Sequence, residues 1–188
     1  MTKLLGARIL YYLFGYNAAF YSKPPSVAMA RKQRKSPATS SMHPEKHTEV
    51  SRLLEDENLV FTFHGNDDDY GCTKSWDSAV MGRFRCYNAN CGTNGWSSKQ
   101  IAITIRMYPG KKYNARVYHQ RCKNCGSLSK PTLDDTYAER VTYWLKKWCG
   151  IHLERPDNSG QSKGPHQSRF CEGCKAGHCP QAKQSSYD

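Results

Sequence analysis

Seven of the nine cysteines and one histidine have the types and spacings of a metal-ligand set. They run Cys86-x4-Cys91, Cys122-x2-Cys125 and His166-x4-Cys171-x2-Cys174-x4-Cys179. Zn2+ takes four thiolate or imidazole donors in a tetrahedron, and two cysteines two to four residues apart supply one edge of it. Eight ligands therefore predict two sites, with Zn2+ as the cofactor. A site closed by four protein ligands keeps no position for water or substrate, so its chemistry is cross-linking rather than Lewis-acid catalysis. Disulfides and buried thiols are the competing uses of cysteine, and three paired spacings in one chain favour metal.

Some assignments stay open at this stage. His178 adjoins Cys179 and competes to be the last ligand; thiolate is the better zinc donor, which favours Cys179. A crossed division, with Cys86, Cys91, Cys171 and Cys174 on one ion, is also compatible with the spacings. Cys72 and Cys149 have no partner at such spacing and are expected as unligated thiols. No Gly-rich phosphate loop, His-Glu-x-x-His, G-x-S-x-G or deaminase signature occurs, so no enzyme is expected.

The elements that must position these ligands are partly legible. Gln100 to Tyr108 alternates, with Ile101, Ile103, Ile105 and Met107 on one face, and Tyr113 to Gln120 alternates again after Pro109-Gly110. This is a β-hairpin signal. Folding it about Gly110 sets Gln100 opposite Arg121 and carries Cys122 and Cys125 to the chain leaving Cys91. Knuckle, hairpin, knuckle is zinc-ribbon geometry and assigns one zinc to Cys86, Cys91, Cys122 and Cys125. His166, Cys171, Cys174 and Cys179 lie close enough in sequence to close a second site locally. His119 falls on the inner face as a core histidine.

Leu133 to Cys149 reads as a helix, capped by Asp134 or Thr132 and stopped by Gly150, with Tyr137, Val141, Trp144, Leu145 and Trp148 forming an apolar stripe that covers the hairpin. A shorter amphipathic helix is expected over His43 to Glu57 and a strand over Leu59 to Phe63. Asn66 to Asp69 reads as a solvated acidic turn rather than a calcium loop. The expected fold is α+β: a small zinc-ribbon-like antiparallel sheet with a covering helix and two structural zincs.

The chain has 188 residues, a low hydrophobic fraction of 38% and a net charge of +12. A core of that size is small and gains from metal. From Ser78 to Leu133 there is no Asp or Glu, while Arg83, Arg85, Lys99, Arg106, Lys111, Lys112, Arg116, Arg121, Lys123 and Lys130 fall within it. A single basic surface follows. The alternation puts Arg106 and Tyr108 across from Arg116 and Tyr118 on the outer face of the hairpin, with Lys111 and Lys112 at its turn. Basic residues interleaved with aromatics on an open sheet suit RNA or other nucleic acid through phosphate contact and base stacking. Ordinary solvent-face Arg and Tyr pairs are the plain alternative.

Residues 1–41 form a basic leader and linker, 42–180 the zinc-binding domain, and 181–188 a tail. Leu4 to Tyr21 is apolar but interrupted by Arg8 and Asn17, marginal for a membrane span and compatible with secretory or mitochondrial targeting. Arg31 to Lys35 reads as a solvated basic run or a nuclear import patch. Cytoplasm or nucleus is the favoured location.

MGRFRC, the C-x4-C followed by GWSS, IAITIRMY, NARVYHQRCKNC, LDDTYAERV and H-x4-CEGC with GHC together resemble the 3CxxC-type zinc-finger family, most of all its fungal members, over residues 42–180. Receptor-transporting proteins and the zygote arrest domain belong to the same group. The resemblance implies zinc on Cys122, Cys125, Cys171 and Cys174, with His166 and Cys179 as further ligands; the first pair here is spaced by four residues where the family name implies two. It implies two functions of different kinds: RNA binding, and a protein-interaction or trafficking adaptor for membrane receptors.

Overall fold

The structure, a computed structural model, describes residues 36–154 and 166–184. The expectations for Leu4 to Tyr21 and Arg31 to Lys35 lie outside these residues. In chain order the elements are β1 (Ser40–Met42), a 3-10 turn (Pro44–Lys46) leading into α1 (His47–Glu55), β2 (Thr62–Phe63), β3 (Lys74–Arg85), β4 (Gly95–Tyr108), β5 (Lys112–Tyr118), β6 (Gln120–Arg121), β7 (Leu128–Ser129), β8 (Pro131–Leu133), α2 (Thr136–Trp148), α3 (Glu172–Lys175) and α4 (Pro180–Gln184).

The sheet order is β1-β5-β4-β3-β8, with β2 parallel to β5, and β6 and β7 form a separate ribbon. The hairpin is β4 and β5, paired from Ile103 with Val117 to Tyr108 with Lys112. That register puts Gln100 level with Gln120 rather than Arg121, and the Gln120 side-chain amide donates to the Gln100 carbonyl at 3.0 Å. Gly110 and Lys111, at φ 75° and 53°, make the turn.

The hairpin is only part of the sheet. β3 runs antiparallel along nearly all of β4, and the pairing slips between Val80 with Ile101 and Gly82 with Ser98. The extra residue is on β4, and pairing resumes from Gly82 with Ser98 to Arg85 with Gly95, next to the first ligand pair. At Gly82 a Cβ would collide with the Thr132 carbonyl, so β8 reaches this edge only because the residue is glycine.

One face of the sheet carries the apolar core. Ile101, Ile103, Ile105, Tyr113 and Val117 pack against Val50 and Leu54 of α1 and Tyr137, Val141, Trp144 and Leu145 of α2. Full burial of each aliphatic side chain contributes about 2 kcal/mol. The stripe along α2 is buried as its periodicity predicts, but α2 lies chiefly over β3, where Trp76 stacks on Trp144, and against α1, meeting the hairpin mainly through β4. Asp134 accepts from the Thr136 backbone N–H at 3.1 Å, one residue ahead of the formal cap position. Among the described residues no helix is long and apolar enough to cross a membrane.

The opposite face corrects the expectation of an open sheet. Arg106 is 1% exposed, and Tyr108 and Tyr118 are each 4% exposed. Two separate covers bury them. The loop at Asn66 to Asp69 lies over Arg106, Tyr108, Asn114 and Arg116, and the carboxy-terminal segment lies over Ala102 and Tyr118. The acidic turn is thus a lid on two arginines. Only Lys111 and Lys112 of the expected group are fully exposed.

Candidate metal centres

The first centre is built where β3 and the hairpin end together. Cys86 follows the last residue of β3, and Cys122 follows β6. The four intervening residues of the Cys86–Cys91 pair are taken up by a tight turn: the Cys91 N–H donates to the Asn88 carbonyl at 3.0 Å, and the Asn88 side chain accepts from Asn90 N–H at 3.0 Å. The Cys122–Cys125 pair is a knuckle closed by Gly126 N–H to the Cys122 carbonyl, 2.9 Å, with Gly126 at φ 71°. A left-handed residue there favours glycine.

All four ligand sulfurs lie within 4.8 Å of one another. Cys86 Sγ is 3.6 Å from Cys125 Sγ, and Cys91 Sγ is 3.8 Å from Cys122 Sγ. A regular tetrahedron with Zn–S bonds of about 2.3 Å has S···S edges of about 3.8 Å. The donor set and its spacing fit Zn2+.

The second centre is local in sequence. A bridge from Gln120 to Cys171 starts it, α3 brings Cys174 round, and the turn ends at Gly177, φ 77°, whose successor His178 donates its N–H to Gly173. His166 Nε2 lies 3.1 Å from Cys174 Sγ and 3.6 Å from Cys179 Sγ, and Cys171 completes the group within 4.8 Å. An N···S edge of tetrahedral zinc is about 3.6 Å.

The ligands divide as Cys86, Cys91, Cys122 and Cys125 on one side and His166, Cys171, Cys174 and Cys179 on the other, which overturns the crossed division. His178 is no ligand. Its Nδ1 faces the Asp77 carboxylate at 3.0 Å, and its ring stacks on Tyr118. His119 is buried, with Nε2 3.1 Å from Ser41 Oγ. Cys72 lies outside both groups, its Sγ 3.2 Å from the Lys74 carbonyl, and Cys149 is exposed at the end of α2.

In each site hydrogen bonds lower some thiol pKa values while others are raised; in the first, the Cys125 and Asn124 backbone N–H groups lower Cys122. The Ser127 hydroxyl and backbone N–H hold Cys125 down to about 6. At Cys86 the Asn88 backbone pulls the other way, yet burial and the neighbouring thiols push it up to about 12. In the second site the Cys171 thiol and His166 hold Cys179 down to about 4, while Cys171 itself is pushed up. Thiolate is the form that binds zinc, and the lowered pKa values favour it.

The second centre is fastened to the sheet by groups the spacing did not reveal. Buried Glu172 accepts from Arg121 Nε at 2.6 Å and Lys175 Nζ at 2.7 Å. Gly173 sits on Ala102 and Tyr118 so closely that a Cβ there would overlap the Ala102 methyl. Asp77 accepts from Thr104 at 2.7 Å and meets His178. These partners are far apart in sequence, and no periodicity signals them.

Two centres with four protein donors each define a zinc-binding protein. A family model described as a zinc-binding domain, the 3CxxC zinc ribbon, matches residues 79–177. That is more than half of the chain, and the chain belongs to this family. Comparison with curated proteins and with solved structures finds no match.

Proposed function

We propose that the protein is a non-catalytic, zinc-stabilised module that binds single-stranded or structured RNA. Four protein donors at each centre leave the metals no open position, which supports a structural role for them. The observation that carries the reading is a basic strip beside the first centre. Arg83 and Arg85 alternate with the core residues Gly82 and Phe84, so they face away from α2, and both are exposed. Lys99 is exposed at the bulge, and Lys123 is exposed within the second knuckle. Tyr87, 73% exposed, lies 5.9 Å from the Arg85 guanidinium and offers a ring for base stacking.

A zinc held by four thiolates carries a charge of about −2, which offsets part of this strip. Four cations exceed that, and the stretch from Ser78 to Leu133 carries no acidic residue of its own. The strip therefore presents a net positive surface of the kind that draws phosphates.

Anisotropy of fluorescein-labelled oligouridylate, titrated with zinc-loaded full-length chain, tests the reading. Binding should weaken steeply with salt, and R83E/R85E should lower affinity by at least about 30-fold through loss and reversal of phosphate contacts. A flat salt titration, or unchanged affinity in that variant with both zincs retained, overturns it.

A further inference from the structure

We infer that the acidic loop over the hairpin is a built-in stand-in for phosphate, occupying a second anion site that RNA can take over. The inference rests on the RNA-binding reading and adds a site and a control to it. Arg106 and Arg116 approach one carboxylate oxygen: Asp67 Oδ1 accepts from Arg106 Nη1 at 3.0 Å and from Arg116 Nε at 2.8 Å. Two guanidinium groups this close, one of them 1% exposed, require an anion. The loop supplies it.

Its fit is incomplete. Asp69 Oδ1 lies 2.8 Å from Arg106 Nε, yet that buried N–H has no properly directed acceptor. The Asp67 carboxylate serves both arginines with one oxygen, with Arg116 Nη2 also donating to the Asp67 carbonyl at 3.2 Å and Arg106 Nη1 to Asn114 Oδ1 at 3.3 Å, whereas a phosphate offers separate oxygens in a tetrahedron, which suits two forked guanidinium groups. Tyr108 and Asn114 add a hydroxyl and an amide to the same pocket, and they hold the loop through the Asp68 and Asn66 carbonyls at 2.7 and 2.6 Å.

The loop is built to leave. Gly65 to Gly71 are all exposed, Asp69 is 79% exposed, and these contacts are polar, with no apolar side chain of the loop in the core. The loop side of these contacts is open to a competing anion, while the Arg106 side is buried beneath it. Gly71, at φ 71°, closes the far end. The site shares a sheet face with Arg83 and Arg85. From Ser97, which pairs with Arg83, to Arg106 is about 30 Å along β4 at the usual strand rise. The second centre is seated over Ala102 between them, so RNA reaching both sites passes around that cap.

The test compares D67N/D69N with E55Q/D56N, which removes equal charge from the exposed end of α1. Both are zinc-loaded full-length chains titrated with the same oligouridylate. The loop variant should bind about tenfold more tightly than wild type with a salt slope steeper by about one, while the control gains less than about threefold. Equal gains in both variants, or none in the loop variant, overturn the inference and leave the Arg83–Arg85 reading standing. Absence of binding by every protein removes both. Because the loop variant leaves buried Arg106 poorly paired, hydrogen exchange on the wild type supplies a second arm. Amides of residues 65–71 should exchange faster on RNA binding. Slower or unchanged exchange counts against displacement.

Discussion

The two zinc centres use similar donors but differ in how far the chain must travel to make them. The first ties the end of β3 to the end of the hairpin, with ligands from Cys86 to Cys125 and all of β4 and β5 between its two pairs. The second gathers four donors between His166 and Cys179 and rests on the sheet's polar face through Glu172, Gly173 and His178. The first is part of the sheet's closure. The second is a cap that the finished sheet receives.

The sharpest way to break this comparison is to remove one thiolate from each. Structural zinc contributes about 10–16 kcal/mol to folding, as much as the whole stability of a typical domain. Cys122→Ser should therefore abolish cooperative unfolding and drop zinc content, by elemental analysis, toward zero. Cys174→Ser should retain one zinc and the protected amides of β3, β4 and β5, losing protection only from His166 onward. Loss of both zincs in both variants would mean that the centres are not separable.

A smaller effect isolates the docking of the cap. Gly173→Ala places a methyl against Ala102, and overpacking of this kind costs about 1–3 kcal/mol. The second zinc should be removed by a weaker chelator than in wild type, while the first is unaffected. Equal chelator resistance at both centres would show that the cap does not depend on this contact.

The smallest expected effect concerns the edge of the sheet. His43 has its pKa lowered by burial, against the pull of Glu45, and burial also lowers His119; the Ser41 hydroxyl lies between them, 3.1 Å from each. A folded pKa below the unfolded value of about 6.5 means these histidines favour the native state while neutral. Their contribution is present above that pH and is lost as pH falls through the folded value. His43→Gln should flatten the decline of thermal stability between pH 7 and pH 5.5, and an unaltered slope would assign the decline to other groups.

Ligand spacing, the hairpin and α2 were legible because each rests on local pattern: paired thiols, period-two alternation and a helical stripe. β3 was not. Its apolar alternation is interrupted by polar Asp77 and Ser78, of which Asp77 accepts from Thr104 on the polar face and Ser78 is buried, and its inward position at 82 is a glycine. β1 lies in a stretch whose composition reads as linker, yet its backbone pairs with Tyr118, Val117 and Arg116. The lid on Arg106 and Arg116 was missed for another reason. An Asp and an Arg separated by 39 residues carry no periodic signal, and an outward-facing Arg looks the same whether water or a carboxylate meets it.

Gln120 and Arg121 stand between the two metals. Gln120 bridges to Cys171, Arg121 grips Glu172, and the next residue is Cys122. A ribosome delivers every ligand of the first centre before any of the second, so β6 can already be fixed when Cys171 emerges to find its template. Order of synthesis thus favours assembly in the same direction, the first centre's thiols being available to one another before those of the late segment.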